Sequence, residues 1–208
     1  MAGTVSQAVF CLAYARTAVH AHWPLALAAG SVAFALSTLA LSWLPLSLVS
    51  FAVVAVASLL ASRALMPRRS VPSRVAAPPP WWDIPARMVV TTGFVLLLTG
   101  MATRLGPQLT GLVTPFPLYA AILVVFAHAL EGPAHAAAVL RGLLLGLYCF
   151  AGFFFVLAAL LERVGILAAF TSAVAVTLAI QAGALWLLGR DVSIGIAGAS
   201  GHGGSHRD

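Results

Sequence analysis

Two groups of residues in this 208-residue chain have types and spacings that could do chemistry. The first is Thr110, Thr114, Pro115, Pro117 and Tyr119, in the run TGLVTPFPLYA. Two prolines one residue apart remove two backbone donors and push the residues before them away from helical geometry, so a helix here is kinked or broken. A broken helix inside a membrane offers a fresh N-terminus whose N–H groups and partial positive charge can face a binding cavity. Thr110, Thr114 and Tyr119 would supply polar neighbours. The plainer reading is a packing kink, with Thr114 and adjoining helices satisfying the freed backbone groups. The break lies about two turns from one end of its segment, not at its middle, which favours the plainer reading.

The second group is His128, Glu131, His135 and Arg141. His128 and Glu131 can share a helix face, the spacing of a metal pair or a proton relay. Gly132-Pro133 then breaks the helix, His135 loses its helical relation to Glu131, and no further ligand is placed by spacing. No metal is expected. The expected arrangement is an ion pair of Glu131 with Arg141 across a short loop, with the histidines at headgroup depth. A proton-coupling role for His128 or Glu131 stays open, because ionisable groups near a membrane pathway are functional candidates. Elsewhere there is no nucleophile elbow, HExxH pair, phosphate-cradling glycine loop or haem-type ligand pair. Neither an enzyme nor a cofactor is expected. Cys11 and Cys149 lie in apolar runs and read as small buried hydrophobes without a disulfide.

The elements that must position these residues are membrane helices. The chain is 62% hydrophobic and 8% charged, where a soluble domain carries roughly a quarter charged residues. A hydrocarbon core of roughly 30 Å needs about 20 apolar helical residues. Six segments meet that need: 24–43, 45–65, 86–104, 109–129, 138–161 and 166–188. Arg63, Arg87, Arg104 and Arg141 stand at segment ends, never at the middles where they would cost several kcal/mol. The stretch from Val5 to Ala15 is only about half a span, and no basic region precedes it as in a signal peptide. It reads as the second half of a helix whose beginning would precede Met1. The expected fold class is therefore all-α, a polytopic transmembrane helix bundle with six full spans plus a partial N-terminal one.

All eleven basic residues are arginines, and they set the orientation. Residues 63–87 carry Arg63, Arg68, Arg69, Arg74 and Arg87 against the single acid Asp83, so this stretch should be cytoplasmic. Alternate threading puts nine arginines inside and only Arg104 and Arg163 outside, with a cytoplasmic C-terminus. The expected location is a bacterial inner membrane. The net charge of +6 needs no nucleic acid: anionic inner-leaflet lipid at Arg63, Arg68, Arg69 and Arg74 is a sufficient partner.

Residues 67–85 hold six of the twelve prolines and form a stiff linker ending in Trp81 and Trp82, rings that favour the headgroup region. Asp83 and Pro85 then read as the cap and first turn of the next helix. The expected division is an N-terminal helix block over 1–66, the linker 67–85, a four-helix unit over 86–190, and a disordered Gly/Ser/His tail over 191–208. A faint internal repeat crosses the linker. Trp23–Leu41 can be laid over Val164–Leu185, with FCLAYAR before the first and FFFVLAALLER before the second. The threading gives the two opposite directions, as in the inverted repeats of secondary transporters. Gly142 and Gly146 form a Gly-x-x-x-Gly step suited to close helix packing, expected inside the monomer, although a second copy or a membrane partner would use the same step.

The stretch Thr110–Arg141 resembles the GlpM/YdgC-like family of small bacterial inner-membrane proteins. The matching positions are Gly111, Leu112, Phe116, Pro117, His128, Gly132, Leu140 and Arg141. The resemblance covers 86–188 and implies a four-helix inner-membrane unit, with 1–66 as an incomplete first copy. It implies no activity. The leading expectation is a transporter-like membrane protein with its pathway near Thr114, Pro117 and Tyr119. Polar groups at depth are scarce, so the substrate class would be apolar or amphipathic. The alternative is a non-transporting accessory or scaffold protein that packs against a membrane partner through Gly142 and Gly146.

Overall fold

The computed structural model describes residues 2–45, 47–67, 81–93, 95, 96, 99, 100 and 116–200. The fold is all-α. The helices are α1 (Ala2–Thr17), α2 (Trp23–Ser42), α3 (Leu48–Leu65), α4 (83–93, with 95, 96, 99 and 100 also helical), α5 (Leu118–Glu131), α6 (Pro133–Val164) and α7 (Ile166–Ser200). Four of them, α2, α3, α6 and the Ile166–Gly183 stretch of α7, are long and apolar enough to cross a membrane. The count of six spans reaches into residues 94, 97, 98 and 101–115, which lie outside the described residues. Of the segment 109–129, the described helix begins only at Leu118, and its 14 residues rise roughly 21 Å.

The helix ends follow local chemistry. Pro24 opens α2, where its missing N–H costs nothing. Ser47 caps α3, its Oγ accepting from the Ser50 N–H at 3.2 Å. Two single glycines make the later breaks: Gly132 (φ +91°) between α5 and α6, and Gly165 (φ +82°) between α6 and α7. Both backbones lie where only glycine escapes a Cβ clash. No proline follows Pro133 in the chain, and α7 continues as helix to Ser200. Residues 191–200 are thus helical where composition suggested a disordered tail. Residues 201–208 lie outside the described residues.

The chain forms two compact units, Met1–Leu147 and Tyr148–Asp208. The boundary falls within α6, not at the proline-rich linker, most of which (68–80) lies outside the described residues. Helices from both sides of the linker share the first unit because α5 packs on α1 and α2 through aromatic side chains.

In the first unit α1 is the core. Thr4, Val5, Ser6, Ala8, Phe10, Cys11, Tyr14 and Ala15 are all buried, while the stripe of Val9, Leu12 and Ala13 is half-buried and ends in the exposed Arg16. Its small residues make the burial possible by letting other backbones approach. α2 faces it with one stripe, Ala26, Gly30, Phe34, Thr38 and Leu41, spaced at three and four. A Cβ on Gly30 would stand 3.0 Å from the Phe10 ring, so this glycine is what lets the ring lie against α2. α3 closes the group through Ala55, Leu59 and Ser62, and the Ser62 hydroxyl donates to the Ala8 carbonyl at 3.2 Å. Val5, Leu41 and Ala55 join the three helices at one corner.

The second unit is a hairpin of the later part of α6 with α7. A Cβ on Gly152 would meet Ile180 Cδ1 at 2.5 Å, and the Cys149 thiol donates to Gln181 Oε1 at 3.0 Å. Phe153 meets Phe170 edge-on at 6.1 Å. Over 166–183 most of the remaining α7 surface is exposed and apolar, including Leu167, Val174 and Leu178.

Candidate functional site

The site grows from one aromatic side chain. Phe116, in the turn before α5, sets its ring edge-on to Phe10 of α1 at 6.1 Å and to Phe34 of α2 at 5.4 Å. Its backbone, with that of Pro117, is non-helical, and α5 starts at Leu118. Phe116 also lines a space between α2, α4 and α5 of about 580 Å³. That lies within the roughly 300–1,000 Å³ of small-molecule sites. Trp23, Leu27 and Ser31 of α2 form one wall, and Ile122, Val125 and Phe126 of α5 another. Trp82 and Val90 bring in the start of α4. Among the described residues Ser31 is the only hydroxyl or charged side chain in the lining, so this lining suits a hydrocarbon better than a polar solute.

The rim near the end of α5 has a different character. Ala129 and Leu130 reach it from α5, Trp23 from the start of α2 and Trp82 from just before α4. Asp83 and Arg87 form a two-pronged pair on α4, with Nε to Oδ1 at 3.0 Å and Nη2 to Oδ2 at 3.0 Å. The carboxylate side chain is 6% exposed and the guanidinium 28%, so the acid lies beneath and the cation above. The guanidinium also sits 5.0 Å from the centre of the Phe126 ring, a cation–π contact on a pocket wall. Asp83 therefore anchors Arg87, where its position suggested a helix cap. Nearby, the Tyr14 hydroxyl and His128 Nδ1 share a hydrogen bond of 3.2 Å, and His22 is an electrostatic neighbour of His128.

The structure redistributes the residues singled out by spacing. Thr110, Thr114 and Pro115 lie outside the described residues. Pro117 is the buried residue before the first turn of α5, while Tyr119 is 69% exposed and does not line the space. Its neighbours Phe116 and Leu118 do. Glu131 pairs with His135, not with Arg141: their side chains approach to 3.4 Å, and His135 Nδ1 lies 3.1 Å from the Glu131 carbonyl. Arg141 is eight residues along α6, roughly 12 Å from its start. Its Nη2 donates instead to the Pro67 carbonyl at the end of α3. So the Glu131–Arg141 pair is absent, and Glu131 reaches His135 across the glycine break that was expected to part them.

Gly142 and Gly146 are both exposed, and a Cβ on either would meet nothing within 4 Å. Among the described residues nothing packs on that step, and Gly152, six residues beyond Gly146, makes a close contact instead. Cys11 and Cys149 are buried and unpaired with each other. Among the described residues no three His, Cys, Asp or Glu side chains gather as a metal site. Arg63 is exposed at the end of α3, and Arg68, Arg69 and Arg74 lie outside the described residues.

Sequence reasoning missed Tyr14, Trp23, Phe34, Arg87 and Phe126 as parts of a site. The tryptophans beside segment starts were a usable signal. The Tyr14–His128 contact was not, since it spans 114 positions. No protein-family model, curated protein or solved structure matches this chain.

Proposed function

We propose that this chain is a multi-pass membrane protein of transporter-like architecture whose first unit takes up an apolar or amphipathic molecule between α2, α4 and α5. The observation that carries the reading is the space of about 580 Å³ with one hydroxyl among the described residues of its lining. Its placement is a bacterial inner membrane with the C-terminus cytoplasmic, as the arginine distribution and the GlpM/YdgC-like resemblance suggest. A second observation supports that placement. The helix ends assigned to the cytoplasmic side by arginine counting also meet in space: Tyr14 with His128, Arg141 with Pro67, and Trp23 with Trp82 at one rim. Anionic lipid at Arg63 and the linker arginines belongs to the same reading, and catalysis does not.

The test is acyl-chain photolabelling. The full chain is placed in lipid discs containing a phospholipid with a diazirine on one chain, then irradiated and mapped. Label is expected at Leu27, Ile122 and Val125, and Val125→Trp should remove it by filling the space. Label confined to the outward leucines Leu36 and Leu60 would sink the reading.

One observation favours the accessory or scaffold alternative: the Gly142–Gly146 face of α6 has no neighbour among the described residues. That reading predicts a stoichiometric partner or second copy retained in mild detergent and lost in Gly146→Leu.

A further inference from the structure

We propose that Tyr14 and His128 form a proton-sensitive latch: neutral His128 holds the last turn of α5 on α1, and protonation of its ring frees that turn. The latch does not depend on what the space takes up. Helix α5 is tied to α1 and α2 at two points of different chemistry. At its start Phe116 packs edge-on against Phe10 and Phe34, contacts that carry no titratable group. At its end the tie is polar: the Tyr14 hydroxyl and His128 Nδ1 lie 3.2 Å apart, with the rings edge-on at 6.0 Å. Tyr14 is fully buried, and its hydroxyl has no other hydrogen-bond partner among the described residues. Its proton is therefore satisfied only when Nδ1 accepts it, which fixes the neutral ring with its own hydrogen on Nε2. A proton taken from water onto Nδ1 turns that acceptor into a donor. The hydroxyl can then only accept, and its hydrogen is left buried without an acceptor, a state that folded proteins avoid. The surroundings do not compensate the new charge. His22, in the turn before α2, is exposed and is an electrostatic neighbour of His128, so a second imidazolium opposes the first. Glu131, one turn further along α5, is turned to His135 of α6, and no carboxylate pairs with His128 among the described residues. Arg87 of α4 is held by Asp83 over Phe126, and Arg16 of α1, two residues from Tyr14, leaves on the far side of that helix. The turn that is freed carries Ala129 and Leu130, which line the space, so release loosens its rim and leaves the Phe116 end in place.

The experiment is hydrogen–deuterium exchange of the full chain in lipid discs at about pH 8 and about pH 5, on either side of imidazole titration. Labelling times are matched for intrinsic exchange, and α5 is followed by peptide mass. The amides of 127–131 should exchange about tenfold faster at the lower pH, the scale of one stranded buried donor, while those of 118–122 stay as they were. His128→Asn is the informative variant, since its amide oxygen can take the Tyr14 proton and does not titrate. It should keep the slow exchange at both pH values, and Tyr14→Phe should give the fast exchange at both. His22→Asn should shrink the response without removing it. Equal protection of 127–131 at the two pH values in the parent overturns the latch, as does a pH response that survives in His128→Asn. Acyl photolabel in the same discs separates the latch from the uptake reading. Label at Val125 is expected if uptake holds, and its absence at both pH values removes that reading without touching the latch.

Discussion

The two helix hairpins that the expected internal repeat would pair are packed differently. In the N-terminal pair α1 is buried over most of its surface, with Phe10 and Tyr14 fully buried and Gly30 letting the Phe10 ring lie against α2. In the C-terminal pair α7 buries little beyond Ala169 and Ala173 over its described side chains, and Phe170 stays 44% exposed. The connections differ too: residues 18–22 form a turn stapled to Tyr14 and Thr17 carbonyls, whereas Gly165 alone separates α6 from α7. Alanine-rich runs of equal hydropathy can therefore be a core or a lipid-facing surface. What differs is whether further helices arrive to cover them.

That contrast can be broken by substitution. The largest effect is expected from Phe10→Ala, which opens a cavity among Tyr14, Phe34 and Phe116 and should cost about 3–5 kcal/mol. Phe170→Ala, in the exposed hairpin, should cost under about 1 kcal/mol. Thermal unfolding of both variants in mild detergent checks this, and equal losses would erase the distinction between a core and a surface hairpin.

Next come the two contact glycines. Gly30→Leu meets a buried ring and a backbone oxygen and should lower stability by about 3 kcal/mol. Gly152→Leu meets the flexible tip of Ile180, should cost about 1 kcal/mol, and should be relieved by Ile180→Ala. Failure of that relief would mean the α6–α7 contact is not made by these two residues.

Smaller still are the polar ties. Ser62→Ala in the first unit and Cys149→Ala in the second each remove one interhelical hydrogen bond, at about 0.6 kcal/mol apiece. The smallest effect belongs to Gly142→Leu and Gly146→Leu, which should leave unfolding of the isolated chain unchanged because no atom of the described residues lies within 4 Å of an added Cβ. A fall in stability confined to oligomeric preparations would move that face into an interface.

Much of the fold was legible because it rests on local rules. Apolar runs and prolines place α2 and α3 to within a few residues, whereas α6 begins earlier, at Pro133, and α7 runs on to Ser200, well past the expected end at 188. The site was less legible. The Pro115–Pro117 motif marked the right turn, but the useful side chain is Phe116 and not Tyr119, since helix phase decides which neighbour faces inward. Glu131 and Arg141 looked like partners by charge and proximity in sequence, yet α6 carries Arg141 away to Pro67.

The sequence by itself determined that the chain is helical, apolar, arginine-fringed and interrupted at Gly132-Pro133, because backbone geometry and desolvation cost act residue by residue. Tertiary structure alone decided that the short α1 becomes the centre of a unit. It also decided that Tyr14 meets His128, and that Arg87 stands over Phe126 at the edge of an apolar space. Those outcomes depend on which helices meet and on the rotation of each about its axis, and a one-dimensional pattern of small and apolar residues leaves both nearly degenerate.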